Sequence, residues 1–278
     1  SIERRGIERW GIKRYLGLGA MLTALIGVGL CGSIANAGSA GKYQAGERRS
    51  GYTYAAKETQ AMQDDDFANP SFIWMDQGEA LWSKVDGEAG KSCATCHDDA
   101  ADTMKGVATR YPVYDKSLGK MKNVEQQINT CRVQQMQAKP FKWESNEMLG
   151  MTAYVNHQSF GMPMSVKVDG AAAPFFEKGK AFYDQRRGQL NMACKNCHED
   201  NAGNMARANL LSQGQGTGFP LYRLKWQKIG SLHRRFRGCN KNVRAAPYAY
   251  GSDEYVNLEL YVGWRGRGLP IETPAVRN

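Results

Sequence analysis

Two complete C-x-x-C-H motifs stand in one chain, Cys93-Ala94-Thr95-Cys96-His97 and Cys194-Lys195-Asn196-Cys197-His198. This spacing is the attachment signature of a c-type haem. The two thiols add to the haem vinyl groups as thioethers, and the His that follows reaches the iron as proximal ligand. Two intervening residues let one short turn meet both vinyls of a single porphyrin. A structural zinc site needs four ligands, and a redox dithiol has no use for the His in both copies. Cys93, Cys96, Cys194 and Cys197 are therefore expected as thioether anchors and His97 and His198 as iron ligands. The expected cofactors are two covalently bound haem c groups.

The rest of the chain repeats along with the motifs. Gly78-Glu79-Ala80-Leu81-Trp82 matches Gly179-Lys180-Ala181-Phe182-Tyr183, each block fifteen residues ahead of its first motif Cys. Ser145, Glu147, Tyr154, Val155, Gly161 and Pro163 match Ser252, Glu254, Tyr261, Val262, Gly268 and Pro270 at a constant offset of 107. Met148, Met151 and Val155, like Leu258, Tyr261 and Val262, recur at helical steps. The pattern predicts a final helix in each copy, over 147–158 and 254–264, with a glycine near each stop. The fold class is all-α: two tandem cytochrome c-type haem domains related by internal duplication, at 76–167 and 168–278. Residues 38–75 carry no haem motif and read as an extended N-terminal arm.

The first residues form a secretory leader. Arg4, Arg5, Arg9, Lys13 and Arg14 precede an apolar run from Tyr15 to Leu30, and Ala35-Asn36-Ala37 offers a cleavage site. The apolar run is short for a retained anchor, so 1–37 is expected to be removed, Cys31 with it. No stable membrane insertion of the mature chain is expected. Export and covalent haem together indicate a bacterial periplasm. The formal net charge is +10, and from residue 201 onward twelve Lys/Arg face four Asp/Glu. Such a balance suits nucleic acid, a membrane surface or small anions; export argues against nucleic acid.

Cys131 and Cys239 remain. They lie 108 residues apart, 34 and 41 residues after their respective motif His. In small cytochromes c the distal ligand comes from this part of the chain, so each is a distal-thiolate candidate. A Cys131–Cys239 disulfide is the competing reading in an oxidising compartment. His157, in the first final helix, has no counterpart in the second copy and reads as a helix-end residue. Met162 and Met164 read as core. Thiolate ligation stabilises ferric iron and implies a low potential, and a ligand sulfur that is also a nucleophile suggests sulfur chemistry.

Leu232-His233-Arg234-Arg235-Phe236-Arg237-Gly238-Cys239 places three arginines within five residues of Cys239, and Arg244 follows. Guanidiniums bind oxyanions through paired N–H donors. A basic loop beside a reactive Cys reads as an anion pocket, with His233 either part of it or a bland surface residue. Haem-propionate pairing would account for one or two of these arginines.

The two C-x-x-C-H motifs, the Cys trailing each, the Arg-Arg-Phe-Arg-Gly-Cys-Asn segment and the tail Gly-Leu-Pro-Ile-Glu-Thr-Pro-Ala-Val-Arg resemble the dihaem SoxA family. The resemblance covers nearly the whole mature chain. It implies an L-cysteine S-thiosulfotransferase that pairs with a smaller monohaem cytochrome, SoxX, and joins thiosulfate oxidatively to a cysteine of the SoxYZ carrier. It implies that Cys239 is the active-site cysteine, found as a persulfide in the family, and distal ligand of the second haem. Arg235 would be the active-site arginine and Cys131 the distal ligand of the first haem. Some members replace the first haem by a disulfide; this chain keeps Cys93, Cys96 and His97. The alternatives are a thiosulfate dehydrogenase forming tetrathionate, a non-catalytic dihaem electron-transfer cytochrome, and a subunit that only anchors a partner.

Overall fold

The computed structural model describes Tyr43, Gln44 and residues 46–278. The leader lies outside the described residues. Eleven α-helices are described: α1 Lys57–Asp64, α2 Phe72–Ser83, α3 Cys93–His97, α4 Ala100–Thr103, α5 Val107–Arg110, α6 Val124–Gln134, α7 Asn146–His157, α8 Ala173–Asp184, α9 Cys194–His198, α10 Leu232–Asn242 and α11 Asp253–Arg265. No described helix is long and apolar enough to cross a membrane. Short strands add to the helices. β1 Val113–Asp115 pairs with β2 Lys120–Lys122, and β3 Met205–Ala206 with β4 Asn209–Leu210. β5 Leu221–Arg223 lies between antiparallel β6 Lys228–Gly230 and parallel β7 Ala275–Arg277.

The duplication is structural. Val113 to Leu221, Lys120 to Lys228 and Val124 to Leu232 are starts of equivalent elements, each 108 residues apart. Each half thus runs first helix, motif helix, hairpin, trailing-Cys helix, final helix. The caps repeat as well. Asn123 and Ser231 accept from the third backbone N–H of α6 and α10, and Ser145 and Ser252 do the same for α7 and α11. Each such cap is worth about 1 kcal/mol.

The matched glycines have a steric reason. α2 packs on α7 and α8 on α11. A Cβ on Gly78 would lie 2.3 Å from the Gly150 carbonyl oxygen, and one on Gly179 would lie 2.0 Å from the Asn257 carbonyl oxygen. The first and last helices of each half therefore touch backbone to backbone. Around the first crossing Trp82, Val124, Met151 and Val155 form the core, with Cys93 against it. Around the second, Phe182, Tyr183, Tyr255, Leu258, Tyr261 and Val262 do so, with Cys194 packed alongside. That second core takes in Ala108, Met121 and Met164 from the first half, so the halves share apolar interior.

The segment read as an extended arm holds more structure than its polar composition predicts. It forms a 3₁₀ turn at Gly51–Tyr54 and helix α1. It is tied across the second half: Arg48 donates to the Arg267 carbonyl at 2.8 Å, Gln63 accepts from the Val276 N–H at 3.1 Å, and Asn69 donates to the Pro274 carbonyl at 2.9 Å. His157 ends α7, where its Nδ1 donates to the Thr273 carbonyl at 2.9 Å.

One charged group sits at the join of the halves. Glu125 is 6% exposed and lines a cavity of about 50 Å³ together with Glu259 and Asn156. Burial, reinforced by the charge of Glu259, holds the Glu125 carboxyl well above the ordinary carboxylate range. The unfolded chain therefore releases this proton at lower pH than the folded one.

Two predictions follow from these contacts. Gly78→Ala and Gly179→Ala should each cost at least about 1–3 kcal/mol, because backbone must move; thermal unfolding of the variants checks this. Glu125→Gln should leave stability unchanged below about pH 4. It should raise stability above that, where wild type alone loses stability until the folded-state carboxyl ionises. Unfolding midpoints across pH test the sign.

Candidate functional site

In the second half α9 presents Cys194, Cys197 and His198 from a single turn. His198 Nδ1 donates to the Ser212 carbonyl at 2.8 Å, since a carbonyl only accepts. This bond fixes the imidazole and leaves Nε2 for another partner, as a haem-ligating His requires. Gly214 makes room for the ring: a Cβ there would come within 2.7 Å of His198 Cγ, and its φ of +72° suits glycine. The His198 imidazole acts on the Cys239 thiol, which α10 supplies, and lowers its pKa.

Cys239 stands among cations. Burial pushes its thiol up, but Arg235, the His198 hydrogen bond and Arg223 outweigh burial and bring it down to about 7. Cys194, on which Arg265 is the one cation to act, is dominated by burial, which pushes it up to about 12. The basic segment expected as a loop is helix α10. Seven of its eleven residues are polar or charged, yet Leu232, Phe236 and Cys239 keep helical spacing, and Leu232 and Phe236 pack on the core.

Helical geometry separates the arginines. Arg234 pairs with Glu144 at 3.4 Å and lies over the Trp226 ring. Arg237 donates to the Tyr248 carbonyl and covers the Tyr250 ring. Arg244, beyond the helix, donates to Gln189 Oε1 at 3.4 Å. Arg235 makes no side-chain hydrogen bond or ion pair to protein among the described residues, and its charge acts on Cys239 and Cys197. His233 does not join the pocket. It is 1% exposed, accepts from the Gly251 N–H at Nδ1, donates from Nε2 to Glu259 at 3.1 Å and stacks on Trp143. Arg223, absent from the sequence reading, completes the cations that act on Cys239.

The first half repeats the frame with different chemistry. α3 presents Cys93, Cys96 and His97, whose ring lies 5.9 Å from that of Trp82. α6 presents Cys131, close enough to Cys93 for the two sulfurs to interact by charge; burial is the larger influence on Cys93 and raises it. One turn before Cys131, where α10 has Arg235, stands Gln127, and its Nε2 donates to the Cys131 sulfur at 3.2 Å. The neighbouring cation, Arg132, is occupied by Asp86 at 2.6 Å and the Lys139 carbonyl at 3.0 Å. Cys131 and Cys239 are both free and each faces its own motif, so no disulfide joins them.

The donor sets suit a c-type haem: two unpaired thiols on one turn, an imidazole, and a thiol facing the motif from another helix. Among the described residues no three His, Cys, Asp or Glu side chains gather as a metal-ion site. Iron carried in a porphyrin needs only two ligands from the protein.

A family profile described as SoxA/TsdA, cytochrome c domain, matches residues 77–164 and 178–271. L-cysteine S-thiosulfotransferase subunit SoxA of Pseudaminobacter salicylatoxidans is 47% identical over 233 residues, covering 84% of this chain and 82% of that one. The subunit of the same name from Paracoccus pantotrophus is 42% identical, over 82% of this chain and 79% of that one. A chain in the crystal structure of SoxXA from P. pantotrophus superposes with a TM-score of 0.80 at 42% identity, covering 83% of this chain and 87% of that one. With two cytochrome c segments and this similarity along most of its length, the chain belongs to the SoxA family, the c-type cytochrome subunits of L-cysteine S-thiosulfotransferase in thiosulfate oxidation.

Proposed function

We propose that Cys239 and Arg235 form the reacting site at which thiosulfate is joined to a cysteine of a carrier protein, the SoxYZ type. The observation that carries this reading is the unpartnered Arg235 beside a thiol that Arg235, His198 and Arg223 bring down to about 7. Two haem c groups would be held, by Cys93, Cys96, His97 and Cys131 in a first domain at 76–167 and by Cys194, Cys197, His198 and Cys239 in a second at 168–278. The partner is a SoxX-type monohaem cytochrome, and the complex works in the periplasm after removal of a leader at 1–37.

The overall step balances as thiosulfate plus carrier thiol giving the carrier S-thiosulfonate, one proton and two electrons. A sulfur–sulfur bond forms, the S–H bond breaks, and sulfur is oxidised. Each bound c-type haem would supply a one-electron acceptor, and two such haems, in this chain or in the partner cytochrome, would take the two electrons. The chain's own residues do the rest. Arg235 offers paired N–H donors to the sulfonate oxygens and offsets the repulsion between a dianion and a thiolate. The Ser212 carbonyl holds His198 in one tautomer and orientation. Arg234 and Arg237, tied to Glu144 and Tyr248, fix the helix that carries both Arg235 and Cys239.

Two outcomes test the reading. Cys239→Ala should keep both haems covalently attached, because the thioethers come from other cysteines, and should abolish most conjugation of thiosulfate to carrier; intact mass and a conjugation assay check both. Tetrathionate formed without carrier would instead identify a thiosulfate dehydrogenase. Arg235→Ala should lower turnover about tenfold to a hundredfold, as loss of a charge-assisted bond of roughly 1.5–3 kcal/mol implies. Its thermal stability should stay within about 0.5 kcal/mol of wild type, since no protein partner is lost. Arg234→Ala, which strands part-buried Glu144, should cost more stability and less turnover.

A further inference from the structure

Arg223 ends β5, opposite Lys228 on one side and Arg277 on the other. Two contacts hold it. Its Nε donates to the Asn278 carbonyl at 2.6 Å. Its guanidinium lies 5.1 Å from the Trp226 ring centroid, and Arg234 lies 4.6 Å from the same ring. Gly230 permits this packing, because a Cβ there would come within 2.6 Å of Trp226 and 2.8 Å of Arg234. Asn278 is itself tied back, its Oδ1 accepting from Thr59 at 3.0 Å. No Asp or Glu side chain pairs with Arg223 among the described residues; its hydrogen bond goes to the backbone oxygen of Asn278. Burial, and the charge of Arg235 nearby, bring it down to about 10. Two guanidiniums thus act by charge on each other and on Cys239, and neither pairs with an Asp or Glu side chain among the described residues.

The first half shows that this is a difference of side chains on a common frame. Asp115 ends β1 where Arg223 ends β5, each opposite a lysine in its hairpin, Lys120 or Lys228. Asp115 pairs with Lys122, at the position that Gly230 fills in the second half. Gln127 stands where Arg235 stands. At two positions, on two elements, the second half carries a cation and the first half does not. One cation could serve the thiol alone; two that converge from a strand and a helix suit a ligand with more than one negative charge.

We propose that Arg223 is a second anion-binding residue, which together with Arg235 grips a small dianionic sulfur oxoanion such as thiosulfate beside Cys239. The inference rests on the reading of Cys239 and Arg235 given above. Arg235 is free to follow the anion, whereas Arg223 is fixed through Nε and offers only its Nη donors. Arg223 therefore sets where the sulfonate sits.

The test uses the holo complex with its partner cytochrome. Thiosulfate binding is measured by calorimetry without carrier, and kcat and KM are measured with carrier, for Arg223→Ala, Arg223→Lys and Arg235→Ala. Arg223→Ala should weaken thiosulfate binding about tenfold and raise KM more than it lowers kcat, with haem content and spectra unchanged. Arg223→Lys should recover part of the affinity, because it keeps the charge and loses the paired geometry. Wild-type affinity in Arg223→Ala alongside impaired Arg235→Ala would overturn this inference alone. Wild-type turnover in Arg235→Ala would overturn the reading beneath it. A haem spectrum altered in both Arg223 variants with affinity intact would place Arg223 on a haem propionate and overturn the inference as well.

Discussion

In each half the first helix lies against the last so closely that only hydrogen occupies the space between Gly78 and the Gly150 carbonyl, or between Gly179 and the Asn257 carbonyl. Everything that bears on the site hangs from these two crossings. The first helix precedes the turn that carries the motif cysteines, and the last helix backs the core against which Cys93 and Cys194 pack. Fixing one crossing fixes the angle between motif helix and trailing-Cys helix, and so the distance across which imidazole and thiol face each other. A side chain at either glycine would wedge the crossing open and move both ligands together.

The frame is copied; the chemistry on it is not. Capped helices α6 and α10 each follow a two-stranded hairpin and each point a cysteine at their own motif. One turn upstream of the sulfur the copies part. Gln127 offers a neutral donor directly to Cys131, which satisfies the sulfur and adds no charge. Arg235 adds a full charge that pairs with no acidic side chain among the described residues. A duplicated fold can keep one copy for electron handling and alter the other for group transfer by exchanges of this kind, since neither touches the crossing that holds the half together.

Sequence carried much of this. The expected final helices at 147–158 and 254–264 correspond to Asn146–His157 and Asp253–Arg265, because their apolar residues keep strict helical spacing and their Ser caps are local signals. The motif turns were legible because their chemistry depends on spacing alone. Helix α10 was less so, because its run of arginines reads as a charged loop although Leu232, Phe236 and Cys239 keep helical spacing; Arg234 goes to Glu144 and Arg237 to the Tyr248 carbonyl. Its four basic residues read alike in sequence, and only the helix geometry separates Arg235 from Arg234 and Arg237. His233 looked like part of the pocket because it is near Cys239 in sequence, but one helical turn and a half sends it inward to Glu259 and Trp143. Arg223 lies sixteen residues ahead of Cys239 on a strand. The one signal that would have found it is the 108-residue offset, which sets it against Asp115.

Charge balance shows why the two copies would treat an anion differently. Around Cys131 the Asp115 carboxylate is neutralised by Lys122, Arg132 is bound to Asp86, and Gln127 is neutral. A thiolate there would face an approaching dianion with its own charge uncompensated. Around Cys239, Arg235 and Arg223 contribute two positive charges against one thiolate, so the pocket carries a net positive charge toward an incoming anion. The added cations are strong enough to outweigh burial, since Arg235, with His198 and Arg223, brings Cys239 down to about 7. A change of two charges between the copies thus outweighs the hydrogen-bond differences of about 1 kcal/mol between them. Discrimination between the two sulfurs then needs no difference in backbone, and the preserved helix crossings, caps and hairpins of the two halves are what such an electrostatic division of labour would leave behind.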